Sequence, residues 1–397
     1  MPTILTINSG SSSLKLGLFA ADDASLPLLY KGTTDNIGKS GKSGGTLTIA
    51  DSEGNKVYEE DASHDSQAGA FRHAAAQLHS LSGQTVAGIG YRIVHGGPRL
   101  RAHCRITAPV LEELRAAAHY APLHIPPALQ LIDVVTQSYP QTPAFACFDT
   151  AFHRTMPREA YTYPIPLHYR ELGVQRYGFH GLSYESAVAA LEPDVPARLI
   201  VAHLGNGASL CAIAAGKSVD TSMGFTPTGG IPMSTRTGDL DPGVAVFLTR
   251  EGKMDADELE MALNRESGLL ALSATADKAG TADMRELTEA ADRGSQTAKL
   301  AIRIFCRSIA KTIASYAVVL GGLDCLVFTG GIGEHSAAVR AEVCRQLVFM
   351  GIALDDAANR QSAALLSRPE STVKIRLLEA NEDGRIAHHV QQLLARK

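Results

Sequence analysis

The sequence predicts a two-domain α/β protein made of two related halves, each with a central mixed β-sheet flanked by helices. Three observations carry this. The chain has 397 residues, 45% hydrophobic and 20% charged, too long for one ordinary core and apolar enough to fill two. Apolar strand-like runs alternate with amphipathic helical patterns, as in α/β units. A strand–polar turn–strand layout at the N-terminus recurs half a chain later.

In chain order, "TILTINSGSSSLKLGLF" reads as a strand, a polar turn and a second strand. "NIGKSGKSGGTLTIADSEGNKVYEE" reads as β-meander with exposed turns, and residues 68–82 as an amphipathic helix with Phe71, Ala75 and Leu78 on one face. "VAGIGYRIVHGG" is a buried strand ending in a glycine turn, residues 110–120 are helical, and "TPAFACFDTAF" is another apolar strand. The second half repeats the layout in "ARLIVAHLGNGASLCAIAAGKSVDTS", where an offset of 195 residues lays Asn8 on His203 and Gly10 on Gly205. "SQTAKLAIRIFCRSIAKTIASYAVVLGG" is a long helix running into the strand "DCLVFTGGIGE", whose end is again a glycine turn. The expected domains are 1–150, completed by a C-terminal helix at about 381–397, and 151–380.

The net charge of −4, without a block of like charge, argues against a nucleic-acid partner. No run reaches the ~20 apolar residues of a membrane span, and no signal peptide is evident, so a cytoplasmic protein is expected. The six cysteines lack CxxC pairing and read as buried reduced thiols.

Two motifs are decoys. "GKSGKSGG" contains Gly-Lys-Ser twice, but Asn36 and Thr33 stand where a P-loop needs its first glycine. "GNGASL" and "GIGEHS" lack the third glycine of a dinucleotide fingerprint. What remains is three glycine-rich turns after apolar strands, Asn8–Lys15, His203–Ser209 and Gly330–Glu334. Each alone reads more readily as a structural turn. Together they suit backbone donors approaching phosphate oxygens. Arg92 and Arg236 stand among small or apolar residues, where a structural ion pair and a planar fork for carboxylate or phosphate are both open readings. Asp149 ends a buried-looking strand, where an acid is costly unless paired or used. His180 lies beside Phe179 between two glycines, while His124 reads as a structural histidine. Zinc-type ligand spacing is absent, whereas an oxygen-ligated Mg2+ would leave little trace.

Taken in order, "TINSGSSSLK", "RIVHGG", "APLH", "FDTAFH", "RYGFHG", "HLGNGAS", "GKSVDTSMGFTP", "TRTGDLDPG", "DMR", "FTGGIGE" and "NE" resemble the acetate kinase family across nearly the whole chain. The resemblance implies two duplicated actin-like (ribonuclease H-like) domains and reversible phosphoryl transfer between ATP and acetate, giving acetyl phosphate and ADP. It implies Mg2+, with Mn2+ as an alternative, held by Asn8 and Glu382. Lys15 and the second phosphate loop, His203, Leu204, Gly205, Asn206 and Gly207, would meet the nucleotide phosphates. Asp283, Met284 and Arg285, with Gly331, Ile332, Gly333, Glu334 and His335, would form the nucleotide pocket. Arg92 and Arg236 would flank the transferred group and the carboxylate, and His180 would donate to phosphoryl oxygens. Asp149 would be an acid/base or an orienting carboxylate. The second role is favoured because a carboxylate substrate is already ionised at neutral pH. Val94, Leu123, Phe179 and Pro227 would line the acyl pocket. A homodimer and domain closure over the nucleotide are further implications.

Tyr91, Ile125, Leu182, Tyr184 and His335 depart from the family pattern and bear on acyl preference and nucleotide affinity. The neighbouring expectations are a propionate or butyrate kinase, for which Val94 is the residue to watch. From a different class, an actin-like ATPase switch is the alternative.

Overall fold

The computed structural model describes residues 1–10, 12–38 and 45–396. Residues 39–44, within the Gly-Lys-Ser decoy, and Ser11 of the first turn lie outside the described residues. The chain forms two compact units, Met1–Ala151 with Asn381–Lys397, and Phe152–Ala380. Among the described residues no helix is long and apolar enough to cross a membrane.

The first unit is built on strands β1 (Pro2–Ser9), β2 (Leu14–Ala20), β3 (Leu28–Thr34), β4 (Thr46–Asp51), β5 (Lys56–Asp61), β6 (Thr85–Ile93), β7 (Cys104–Arg105) and β8 (Ala144–Phe148). They form one sheet in the order β5-β4-β3-β2-β1-β6-β8-β7. β1 runs antiparallel to β2 and parallel to β6, which is parallel to β8. Alternation of side chains sends Leu5, Ile7, Leu14, Leu16, Ile89 and Ile93 into a core with Phe71 and Leu78 of helix Gln67–Ser82 and Leu131 and Val135 of helix Ile125–Ser138. The opposite face carries Gly88 and Gly90, and the C-terminal helix Glu382–Ala395 lies on it. A Cβ at Gly88 would come within 2.9 Å of Leu394 and 3.0 Å of Val390, so these glycines let the helix approach.

The second unit holds β9 (Arg198–Leu204), β10 (Ala208–Ala214), β11 (Lys217–Thr221), β12 (Cys325–Thr329) and β13 (Lys374–Leu377), in the order β11-β10-β9-β12-β13. Order and strand sense reproduce β3-β2-β1-β6-β8, so the repeat seen in the sequence is a repeat of topology. Leu199, Val201, Cys211, Ile213 and Val327 pack with Tyr184 and Ala187 on one face. The long helix Gln296–Leu320 packs against β9 and β10. It is capped by the Ser295 hydroxyl, which accepts from the Ala298 N–H, and ends at Gly321 in the left-handed conformation.

Two sequence expectations need correction. The segment after β12 is not an open glycine turn but a short helix, Gly330–His335. Glu334 Oε1 accepts from the Gly330 N–H at 2.8 Å and from the Ala380 N–H at 3.0 Å, which winds the segment onto itself. Five cysteines are buried and free, but Cys104 is only half-buried. Burial pushes the Cys306 and Cys344 thiols up to about 12.

Candidate active site

In the first unit the functional candidates gather at the carboxyl end of β6. Its last residues alternate, so Arg92 shares the face of Gly88 and Gly90 and points beside the start of the C-terminal helix. Arg92 Nε donates to Asp149 Oδ1 at 3.0 Å and Nη2 to Asp149 Oδ2 at 2.6 Å, a two-pronged pair. Asp149 is fully buried just past β8, and its backbone N–H donates to the Ile93 carbonyl. Arg92 Nη1 donates to Asn8 Oδ1 at 3.1 Å, and Glu382 lies 3.9 Å from Arg92 Nε. Burial alone lowers the Arg92 guanidinium, but the charges of Asp149 and then Glu382 more than reverse it and leave it raised.

Asn8 turns its amide nitrogen to the acidic pair, donating to Glu382 Oε2 at 2.9 Å and to Asp383 Oδ1 at 3.4 Å. Burial and then the Glu382 charge push the Asp383 carboxyl up, while Lys31 and Lys15 pull it down. Lys15 is exposed and faces Asn8 directly across the β1–β2 register. Val94 and Leu123 are both half-buried in this unit. Two carboxylates at a helix start, one held uncomfortably by the other, are a hard-oxygen donor set that fits a divalent cation such as Mg2+. Asn8 fits it from outside, because its oxygen is taken by Arg92 and its N–H by Glu382.

In the second unit the candidates gather where β9 turns into β10. His203 ends β9, and Gly205 N donates to Gly207 O at 3.1 Å to close a three-residue loop. His180 adopts φ +58°, unusual for a residue other than glycine, at the start of helix Gly181–Ala190. Its ring lies 4.3 Å from that of His203, and its Nδ1 bonds the Ser209 hydroxyl at 2.9 Å. An ideal Cβ on Gly207 would stand 3.2 Å from His180 Nε2 and 3.5 Å from Arg236 Nη1, so both nitrogens border the loop. Arg236 Nη1 also donates to the Pro227 carbonyl at 3.1 Å. Phe179 is buried, and its carbonyl bonds Nε2 of the buried His153 at 3.0 Å. Burial pushes His153 down to about 4, so its ring is neutral at neutral pH.

The remaining candidates differ in accessibility. Asp283 caps helix Met284–Asp292 and pairs with Arg285 at 3.1 Å, and that charge pairing lowers the Asp283 carboxyl. Met284 is buried, whereas Arg285 is exposed. Ser234 links this segment to the loop, its hydroxyl donating to Ala282 O and to Asn206 Oδ1 and its N–H donating to Asn206 O. Gly331 and His335 are exposed, Ile332 and Glu334 half-buried, and Gly333 and Leu204 buried.

Several neighbours of these groups escaped the sequence reading. Arg340 is fully buried with no carboxylate partner shown, and donates to the Gly333 and Glu334 carbonyls at 2.8 Å and to Asn359 at 2.7 Å. Gln67 Nε2 donates to the Gly10 carbonyl at 2.9 Å and the Ser13 carbonyl at 3.3 Å, bracing the β1–β2 turn. Asp383 carried a signal, an acidic pair just before an amphipathic helix. Ser209 was seen only as the end of the His203–Ser209 turn, and Gln67 and Arg340 carried no signal, since a polar or charged residue on a helix is ordinary.

Glycine-rich turns at the strand ends of a repeated five-strand layout, with arginines and a histidine around them, define a two-domain α/β phosphotransferase architecture. The profile of the acetokinase family matches residues 3–388, and the chain belongs to that family. It is therefore a kinase, a phosphotransferase with a carboxyl group as acceptor. It is 42% identical over 405 residues to a propionate kinase of Citrobacter rodentium, covering 98% of this chain and 96% of the relative. It is 38% identical over 406 residues to an acetate kinase of Clostridium botulinum, covering 99% and 100%. Among solved structures, a propionate kinase from Francisella tularensis superposes with a TM-score of 0.88 at 34% identity, covering 99% of this chain and 100% of that one. The acetate kinase of Porphyromonas gingivalis gives 0.85 at 33%, covering 99% and 100%.

Proposed function

We propose that the chain transfers the γ-phosphoryl group of ATP to acetate, reversibly and by direct in-line displacement, giving acetyl phosphate and ADP. The observation that carries this reading is half-buried Arg92, oriented by fully buried Asp149 and bordered by Asn8 and the Glu382–Asp383 pair, in a chain matching the family from residue 3 to 388.

The acceptor carboxylate is already ionised, so the protein's task is positioning and charge dispersal rather than proton removal. Asp149, engaged on two sides by Arg92, acts as an orienting group and leaves Arg92 Nη1 near Asn8. Arg236 and His180 offer donors around Gly207 for the equatorial oxygens in flight. Lys15 and His203 to Gly207 receive the nucleotide phosphates, and Asp283 to Arg285 with Gly331 to His335 receive the nucleoside. Mg2+, or Mn2+ in its place, bound at Glu382 with Asp383 beside it, would neutralise phosphate charge. Val94 and Leu123 of the first unit and Phe179 and Pro227 of the second are the residues assigned to the acyl group.

A second reading, propionate as preferred acceptor, is favoured by the relatives named propionate kinase at 42% and 40% identity. An ATP-dependent acyl-hydroxamate assay with acetate, propionate and butyrate decides between them by relative kcat/KM. Product with none of the three sinks the kinase reading. Chelation of divalent metal abolishes turnover, and Mg2+ restores it.

A further inference from the structure

The buried tyrosine that departs from the family pattern, Tyr184, belongs to a polar chain within the second unit. Tyr184 is fully buried on helix Gly181–Ala190, and its hydroxyl is hydrogen-bonded to the Ser209 hydroxyl. Ser209, equally buried on β10, is bonded in turn to Nδ1 of His180 at 2.9 Å. Each hydroxyl has a single proton to give. If Tyr184 gives its proton to Ser209, Ser209 gives its own to His180 Nδ1. That nitrogen is then an acceptor, and the ring proton resides on Nε2, the nitrogen bordering Gly207.

We propose that Tyr184, acting through Ser209, is a positioning residue that holds His180 neutral, with its Nε2–H directed at the phosphate loop. The role of the loop and of His180 rests on the kinase reading given above. The chemical reason is threefold. A hydrogen bond donated to the unprotonated Nδ1 favours the neutral ring. The ring also stands at a left-handed backbone position, φ +58°, where the surroundings must fix it. Finally, the charged and titratable groups shown facing it, His203 at 4.3 Å between ring centres and Arg236 across Gly207, oppose a second positive charge there. Packing holds Tyr184 in place independently of its hydroxyl, since its ring lies 6.1 Å from that of Phe152 and 5.6 Å from that of His153.

The test uses the full chain as Tyr184→Phe, Ser209→Ala and the double variant, with His180→Ala as reference. Tyr184→Phe keeps the ring contacts. It is expected to lower kcat about tenfold with KM values unchanged. The acid limb of the kcat–pH profile should move up. The side-chain nitrogen NMR signature of His180 should change from an unprotonated Nδ1 to a mixture. The double variant should be no worse than Ser209→Ala. A Tyr184→Phe protein with wild-type kcat, pH profile and His180 nitrogen shifts overturns the proposal. So does a wild-type His180 found protonated on Nδ1. The NMR reading requires no turnover. An active His180→Ala protein would therefore break the kinase role of His180 while the nitrogen shifts still judge the relay.

Discussion

The β1–β2 and β9–β10 hairpins occupy equivalent places in sheets of one topology, yet they end differently. In the first, Asn8 faces Lys15 across a four-residue turn. In the second, His203 faces Ser209 across a three-residue turn. Both turns close internally, by the Gly10 N–H to the Ser13 carbonyl at 2.9 Å in the first and the Gly205 N–H to the Gly207 carbonyl at 3.1 Å in the second, but only the second, one residue shorter, is shown to border His180 and Arg236. The longer first turn is braced from outside by Gln67 and presents an amide and a lysine to an acidic pair. One frame thus carries different side chains at equivalent places: an amide and a lysine beside an acidic pair in one unit, imidazole and hydroxyl in the other.

The largest effect that probes this contrast comes from the two arginines. Arg92→Ala and Arg236→Ala should each cut kcat/KM by about 10²–10³ or more in the hydroxamate assay. They should part company in thermal unfolding. Arg92→Ala takes the two-pronged charge partner away from fully buried Asp149 and should cost about 3–5 kcal/mol, whereas Arg236→Ala removes a half-buried donor to the Pro227 carbonyl and should cost about 1 kcal/mol or less. Equal stability losses would show that the two arginines are not differently anchored.

Next comes Arg340→Met, which leaves the Gly333, Glu334 and Asn359 oxygens without their donor. It should destabilise the protein by about 2–4 kcal/mol and raise the KM for ATP more than that for the acyl substrate. A KM for ATP that does not move would limit Arg340 to a packing role.

Acid sensitivity follows. His153 is pushed down to about 4 in the folded state by burial, while an unfolded histidine titrates near ~6.5. The unfolded chain therefore binds more protons between those values, so stability is present above about pH 6.5 and is lost as pH falls towards 4. His95 of the first unit, also pushed down to about 4 by burial and then by His119, adds a matching loss there. Denaturant unfolding across this range should show His153→Phe with a flatter acid limb than wild type. An unchanged slope would remove His153 from the account.

Smallest is Gln67→Ala, which deletes the brace on the Gly10 and Ser13 carbonyls. It should raise the KM for ATP a few-fold and cost about 1 kcal/mol. The counterpart brace, Ser234→Ala, loses only the hydroxyl bond to Ala282 O and the one to Asn206, and should do less.

Much of this frame is visible in the primary structure because strand–turn–strand runs are local and periodic. Asn8, Gly10, His203 and Gly205 stood out through their shared spacing, and Arg92 and Asp149 through charge inside apolar strands. The segment after Thr329 was misread as a turn because its three glycines mask a helix that Glu334 caps locally at Gly330 and ties to the distant Ala380 N–H. The pairing of Tyr184 with Ser209, or of Arg340 with Gly333, joins residues of different elements, and nothing at either position names the other. Such contacts exist only once helix and sheet have packed, so no local pattern announces them.

The helix Glu382–Ala395 lies against Gly88 and Gly90 of a sheet whose other strands precede the whole of the second unit in the chain. On the ribosome, the second unit can therefore finish folding while the first still lacks its cover and its carboxylates. A nascent chain released short of Glu382 would hold Arg92 and Asp149 but no acidic pair, so this cluster is assembled only after the whole second unit has been made.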